Sequence, residues 1–103
     1  MEREREILEL KAPGIGERLA DQVVAFVQQL RSLDLYKPPG ISETIDWANA
    51  LHMISELELN QEGVESTLGV LLKYQDDISR IRGSEVAQIL RNIKLDNENI
   101  DNP

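Results

Sequence analysis

The stretch from residue 16 to 33, GERLADQVVAFVQQLRSL, limits the fold of this chain more than any other. Leu19, Val23, Phe26, Val27, Leu30 and Leu33 follow one another at steps of 4, 3, 1, 3 and 3. On a helix that spacing winds into a single apolar stripe. On a strand, where alternate residues share a face, it would scatter over both sides. Arg18, Asp21, Gln22, Gln28 and Gln29 cover much of the remaining surface, so the helix is expected to bury one side against neighbouring elements.

The same period governs the rest of the chain. Residues 3–10 read as a short helix, or the end of a longer one, with Ile7, Leu8 and Leu10 apolar, and Pro13 and Gly14 break it. In the turn that follows, Gly14 and Gly16 are expected to supply backbone freedom while Ile15 packs inward. After DLYKPPG, whose prolines remove donors and favour extended backbone, Ser42 is placed as an N-cap with Glu43 in the first turn. The third helix carries Ile45, Trp47, Ala48, Ala50, Leu51, Met53 and Ile54, and Asp46, Asn49 and Glu56 form its narrow polar strip. Asn60 caps a fourth helix in which Val64, Leu68, Leu71 and Leu72 repeat the stripe. Ile78 and Ile81 either extend it or pack from a short turn after Asp76 and Asp77. Gly83 ends that segment, and Ser84 caps a last helix with Val86, Ile89, Leu90 and Ile93 on one face. The expected fold is an all-α bundle of four or five helices over residues 1–95, with 96–103 a disordered acidic tail.

The chain is poorly equipped for chemistry. It has no cysteine, which excludes disulfides, thiolate zinc sites and a cysteine nucleophile. His52, the single histidine, sits mid-helix with no serine or cysteine beside it as a partner. Asp76 and Asp77 are adjacent and point apart on a helix, and the oxygen-ligand spacing of a calcium loop is absent. No glycine-rich phosphate loop ending in Lys-Ser or Lys-Thr occurs. No catalytic residue and no metal ligand is therefore assigned. Without an apolar run of about 20 residues, and with a charged beginning, the chain reads as soluble and cytoplasmic, with no membrane partner.

Charge bears on nucleic acid. Nineteen acidic and 11 basic residues give a net charge of −8, which repels a phosphate backbone. Yet APGIGERLADQVV has the spacing of a helix-hairpin-helix DNA-binding element, although Glu17 puts the wrong sign beside the turn. A second open reading is a free-standing interaction module that buries its apolar third helix against a partner.

Three blocks carry a family resemblance. APGIGERLADQVVAFVQQLR, then KPPGISETIDWANAL, then TLGVLLKYQDDI occur in an order and spacing that resembles the C-terminal helical lid of MoxR-type AAA+ ATPases, in particular the CoxD-like branch. The likeness covers roughly residues 5–82. It implies an AAA+ lid-type bundle that is a non-catalytic fragment of a larger ATPase. A preceding α/β core would carry the Walker elements and the arginine finger, and would bind ATP and Mg. The lid closes over that nucleotide and couples its state to the neighbouring subunits of a ring, usually a hexamer. A von Willebrand factor A-domain protein is a further implied partner, nucleic acid is not, and no tight cofactor is expected on this chain alone. The family's sensor-2 arginine aligns with Thr44, so this sequence lacks that charge. The resemblance leaves Gly40, Ile41, Ser42 and Thr44 as residues facing the nucleotide, with Trp47 anchoring the segment.

Overall fold

The helical period holds in every described element: α1 (Glu2–Lys11), α2 (Glu17–Arg31), α3 (Ile41–Met53), α4 (Gln61–Leu71), α5 (Gln75–Ile81) and α6 (Ser84–Asp101). The computed structural model describes the backbone of residues 2–54 and 58–101 and the side chains of residues 3–54 and 58–94. Among them there is no strand, and the fold is all-α as the sequence implies. Six helices replace the expected four or five, because Ile78 and Ile81 belong to a helix of their own, α5. Glu56 of the expected polar strip, Asn102 and Pro103 lie outside the described residues.

One apolar cluster unites the elements. Leu19, Val23, Phe26, Val27 and Leu30 of α2 are buried as the stripe requires, with Leu33 packed at its edge. Trp47 and Leu51 of α3, Val64, Leu68 and Leu71 of α4 with Leu72 just after it, and Val86, Ile89 and Ile93 of α6 complete the cluster around it. Phe26 and Trp47 meet in its middle, ring centroids 5.2 Å apart and tilted by 48°. Such an aromatic pair contributes about 0.5–1.5 kcal/mol beyond the area it buries.

Several apolar residues lie outside. Leu10, Met53 and Ile54, named among the apolar positions of the expected helices, are 78%, 83% and 49% exposed. The helical step explains two of them: Leu10 follows buried Leu8 by two residues, and Met53 follows buried Leu51 by two, a rotation of about 200°. In α3 only Thr44, Trp47, Ala48 and Leu51 are buried, a narrower stripe than the sequence suggests. Gln22 makes the opposite correction. Placed on the polar face by sequence, it is buried beside the stripe, where its Oε1 accepts the Leu59 N–H at 2.7 Å.

The helix ends also differ in detail. Asn60 caps α4 as expected, its Oδ1 accepting the Gly63 N–H at 2.8 Å. Ser42 and Ser84 are not caps; Gly40 and Gly83 take those places, accepting the first helical bonds from Thr44 and Ala87. Gly83 has φ +85 and Gly16, ahead of α2, has φ +77, a region that residues with side chains rarely adopt. Ile15 packs inward at 8% exposure. Gly14 has no positive φ, and a Cβ there would lie 2.8 Å from Nε2 of the exposed His52 ring. α6 runs to Asp101, past residue 96 where the sequence reading begins a disordered tail; neither glycine nor proline occurs between Gly83 and Asp101.

Candidate functional site

The corner between α2 and α3, residues 34–47, is held by polar bonds from distant segments of the chain. A loop built on two prolines makes few bonds of its own, so its shape is imposed by its neighbours. At its end nearest α3, Arg31 donates Nε–H to the Pro39 carbonyl at 2.9 Å. The Arg31 fork is itself held by Glu4 of α1, at 2.8 and 2.7 Å, and Gln28 donates to the same carboxylate at 3.0 Å. Glu4 is only 7% exposed, so this is a partly desolvated bidentate pair rather than a surface contact.

At the opposite end Asp77 of α5 does the holding. Its two carboxylate oxygens accept the Tyr36 N–H at 2.9 Å and the Lys37 N–H at 3.1 Å. Asp77 is 2% exposed. The sequence offers it as half of a solvated acidic pair; the structure makes it a buried bracket, while Asp76 stays at the surface. Arg80, on the next turn, donates to the Asp34 carbonyl.

From this clamped loop the chain enters α3. Glu43 Oε1 accepts the Gly40 N–H at 2.9 Å, the reciprocal half of a capping box. That bond, with Glu43's own backbone N–H and the cations of Lys37 and Lys73, holds the Glu43 carboxyl below its ordinary value, against a smaller opposing effect of burial. Thr44 donates both N–H and Oγ1–H to the Gly40 carbonyl, at 3.1 and 2.8 Å. Further in, Trp47 Nε1–H reaches Thr67 Oγ1 of α4 at 2.7 Å, and Thr67 passes its own proton to the Gly63 carbonyl at 2.7 Å.

The predicted site residues thus separate. Ile41 and Ser42 lie at the surface and Gly40 is half-buried. Thr44 is wholly buried with its hydroxyl engaged. Trp47 is wholly buried. Sequence reasoning missed Glu4, Arg31 and Asp77, which hold the corner, and the exposed ring pair Tyr36–Tyr74, whose centroids lie 6.2 Å apart at 83°.

Elsewhere, Arg18, the cation beside the Gly-Ile-Gly turn, is paired with Glu58 through bonds of 3.0 and 2.9 Å. Among the described residues no group of three or more acidic or histidine side chains could hold a metal ion, and no helix is long and apolar enough to cross a membrane. No protein-family model, no curated protein and no solved structure matches this chain.

Proposed function

We propose that this chain is the helical lid of a MoxR-type AAA+ ATPase, a non-catalytic cap that closes over ATP and Mg held by an α/β core and relays nucleotide state to its neighbours in the ring. One observation carries the reading. The three blocks that resemble the family are bonded to one another: Asp77 of YQDDI brackets the loop that opens YKPPG, and Trp47 of IDWA packs on Phe26 of the first block. A cap of this kind needs a corner whose shape does not depend on the ligand, and buried charges at both ends of residues 36–40 supply one.

Without an arginine at Thr44, the positive charge near the start of α3 comes from Lys37 and Lys73, both close enough to act on Glu43. These side chains fit the phosphate end of a nucleotide, with Ile41 and Ser42 as the adjoining surface. In this reading bond cleavage belongs to the core.

The test is amide NMR of the purified chain with MgATP, beside an ATP turnover assay. Shifts centred on Gly40–Glu43 with no turnover are expected. Turnover by the 103-residue chain alone overturns the reading. So does a response to duplex DNA centred on Gly14–Arg18, which would instead establish the helix-hairpin-helix alternative.

A further inference from the structure

Two tyrosines meet at the surface where the loop after α2 reaches α5. Tyr36 and Tyr74 are 76% and 53% exposed, and their rings stand nearly at right angles, 83° apart. Rings set edge to face do not close into a stack, so aromatic surface is left open. Both backbones are fixed. The Tyr36 N–H donates to Asp77, and the Tyr74 carbonyl accepts the Ile78 N–H at the start of α5. Two depressions open beside the rings. One, of about 500 Å³, is lined by Tyr36, Tyr74, Gln75 and Asp76; the other, of about 350 Å³, shares Tyr36 and Asp76 and reaches Asp34 and Arg80.

The free charge in this cleft is negative. Asp34 and Asp76 are exposed, and neither carboxylate has a hydrogen bond or ion pair among the described residues. Asp77 is already occupied by two loop amides. Arg80, the one cation among the described lining residues, donates to the Asp34 carbonyl. Lys37 and Lys73 adjoin the tyrosines in sequence but line neither depression. Carboxylates repel phosphate and attract a cation, and the negative face of an aromatic ring adds to that attraction. A metal ion does not fit, because no group of three or more acidic or histidine side chains among the described residues could hold one. A guanidinium suits the cleft better than a compact ammonium. It is planar, so it stacks on a ring while its edge N–H groups pair with a carboxylate.

We propose that this cleft docks an arginine side chain of a basic partner polypeptide. The guanidinium lies on a tyrosine face and donates to the Asp76 carboxylate, Gln75 offers a further acceptor, and a second basic residue of the same segment meets Asp34. Charge complementarity selects the partner. With a net charge of −8, the chain draws in a positively charged polypeptide and holds off nucleic acid. The cleft is built from residues 34–36 and 74–76 rather than from Gly40–Thr44, so it stands whether or not the lid reading does.

The experiment follows tyrosine ring and backbone amide signals by NMR as the intact chain is titrated with a short peptide of alternating glycine and arginine. Its lysine and citrulline counterparts and free arginine amide are titrated in parallel. The arginine peptide is expected to move the Tyr36 and Tyr74 rings and the Gln75 and Asp76 amides. The lysine peptide should bind about threefold more weakly, and the neutral citrulline peptide should leave the rings in place. Tyr36→Ala, Tyr74→Ala, Asp76→Asn and Asp34→Asn should each weaken the arginine peptide about threefold, the scale of an exposed cation–π contact or ion pair. Tyr36→Phe and Tyr74→Phe keep the ring faces and should bind as the natural chain does. Rings unmoved by the arginine peptide, or shifts scattered over acidic surface away from residues 34–36 and 74–76, overturn the proposal. So does equal binding of the lysine or citrulline peptide, or unchanged affinity in both tyrosine-to-alanine variants. Free arginine amide binding as tightly as the peptide overturns the assignment to a polypeptide.

Discussion

Removing Asp77 should destabilise the whole protein through one loop. Its carboxylate accepts two backbone N–H groups, from Tyr36 at 2.9 Å and Lys37 at 3.1 Å, while lying only 2% exposed. A hydrogen bond to a charged group contributes about 1.5–3 kcal/mol. Tyr36 and Lys37 are themselves exposed, so their freed N–H groups regain water, and the lower end of that range applies to each. Asp77→Ala should therefore cost about 3 kcal/mol, and Asp77→Asn, which keeps one acceptor oxygen, about half as much. A domain of this size has about 5–15 kcal/mol to lose, so both variants remain folded, with a melting temperature about 12–24 °C lower for Asp77→Ala and about half that for Asp77→Asn. Urea titration followed by the fluorescence of Trp47, the one tryptophan and a fully buried one, measures the difference directly. An Asp77→Ala loss under about 0.5 kcal/mol, or an Asp77→Asn loss as large as that of Asp77→Ala, would refute the bracket.

The other expectations concern the same corner and the turn before α2. Gly16→Ala should cost about 1–3 kcal/mol from backbone strain alone, since φ is +77 with ψ 158 and nothing lies within 4 Å of the added methyl. Gly14→Ala should cost much less, because its close neighbour is the exposed His52 ring, which can move; matched urea titrations rank the two. Thr67→Val leaves the buried Trp47 Nε1–H without its acceptor and should cost about 1–3 kcal/mol in the same assay. Glu43 has a lowered pKa, so its stabilising effect is fully present above the ordinary value of 4.5 and is lost as pH falls through the lower folded value. Urea midpoints taken at neutral and at acid pH should consequently fall further for the natural chain than for Glu43→Gln.

What the sequence made legible was local. The α2 stripe, the Asn60 cap and the apolar face of α4 depend on residues within one or two turns, and each lies where its spacing puts it. What it hid was contact between distant segments. No local pattern brings Tyr36 to Tyr74, or Arg31 to the Pro39 carbonyl. Two of the hidden groups did leave a trace: Glu4 precedes fully buried Leu8 by one helical turn, and Asp77 likewise precedes Ile81. A carboxylate in line with a buried stripe is a signal that it has a partner, because an unpaired one there is costly. Ser42 misled for a related reason. Serine favours the cap position, but Gly40 with Glu43 three residues on satisfies the same end of the helix.

The clamped loop before α3 has a bearing on how the corner could be moved between proteins. LYKPPG takes its form from an aspartate on α5, an arginine on α2 and a glutamate on α1, none of which travels with it. Transplanted into a foreign scaffold the hexapeptide would arrive limp, its two tyrosine-level amides and its proline carbonyl solvated at random. Any graft meant to reproduce the corner has to import those three distant side chains as well, so the smallest portable unit is close to the whole bundle.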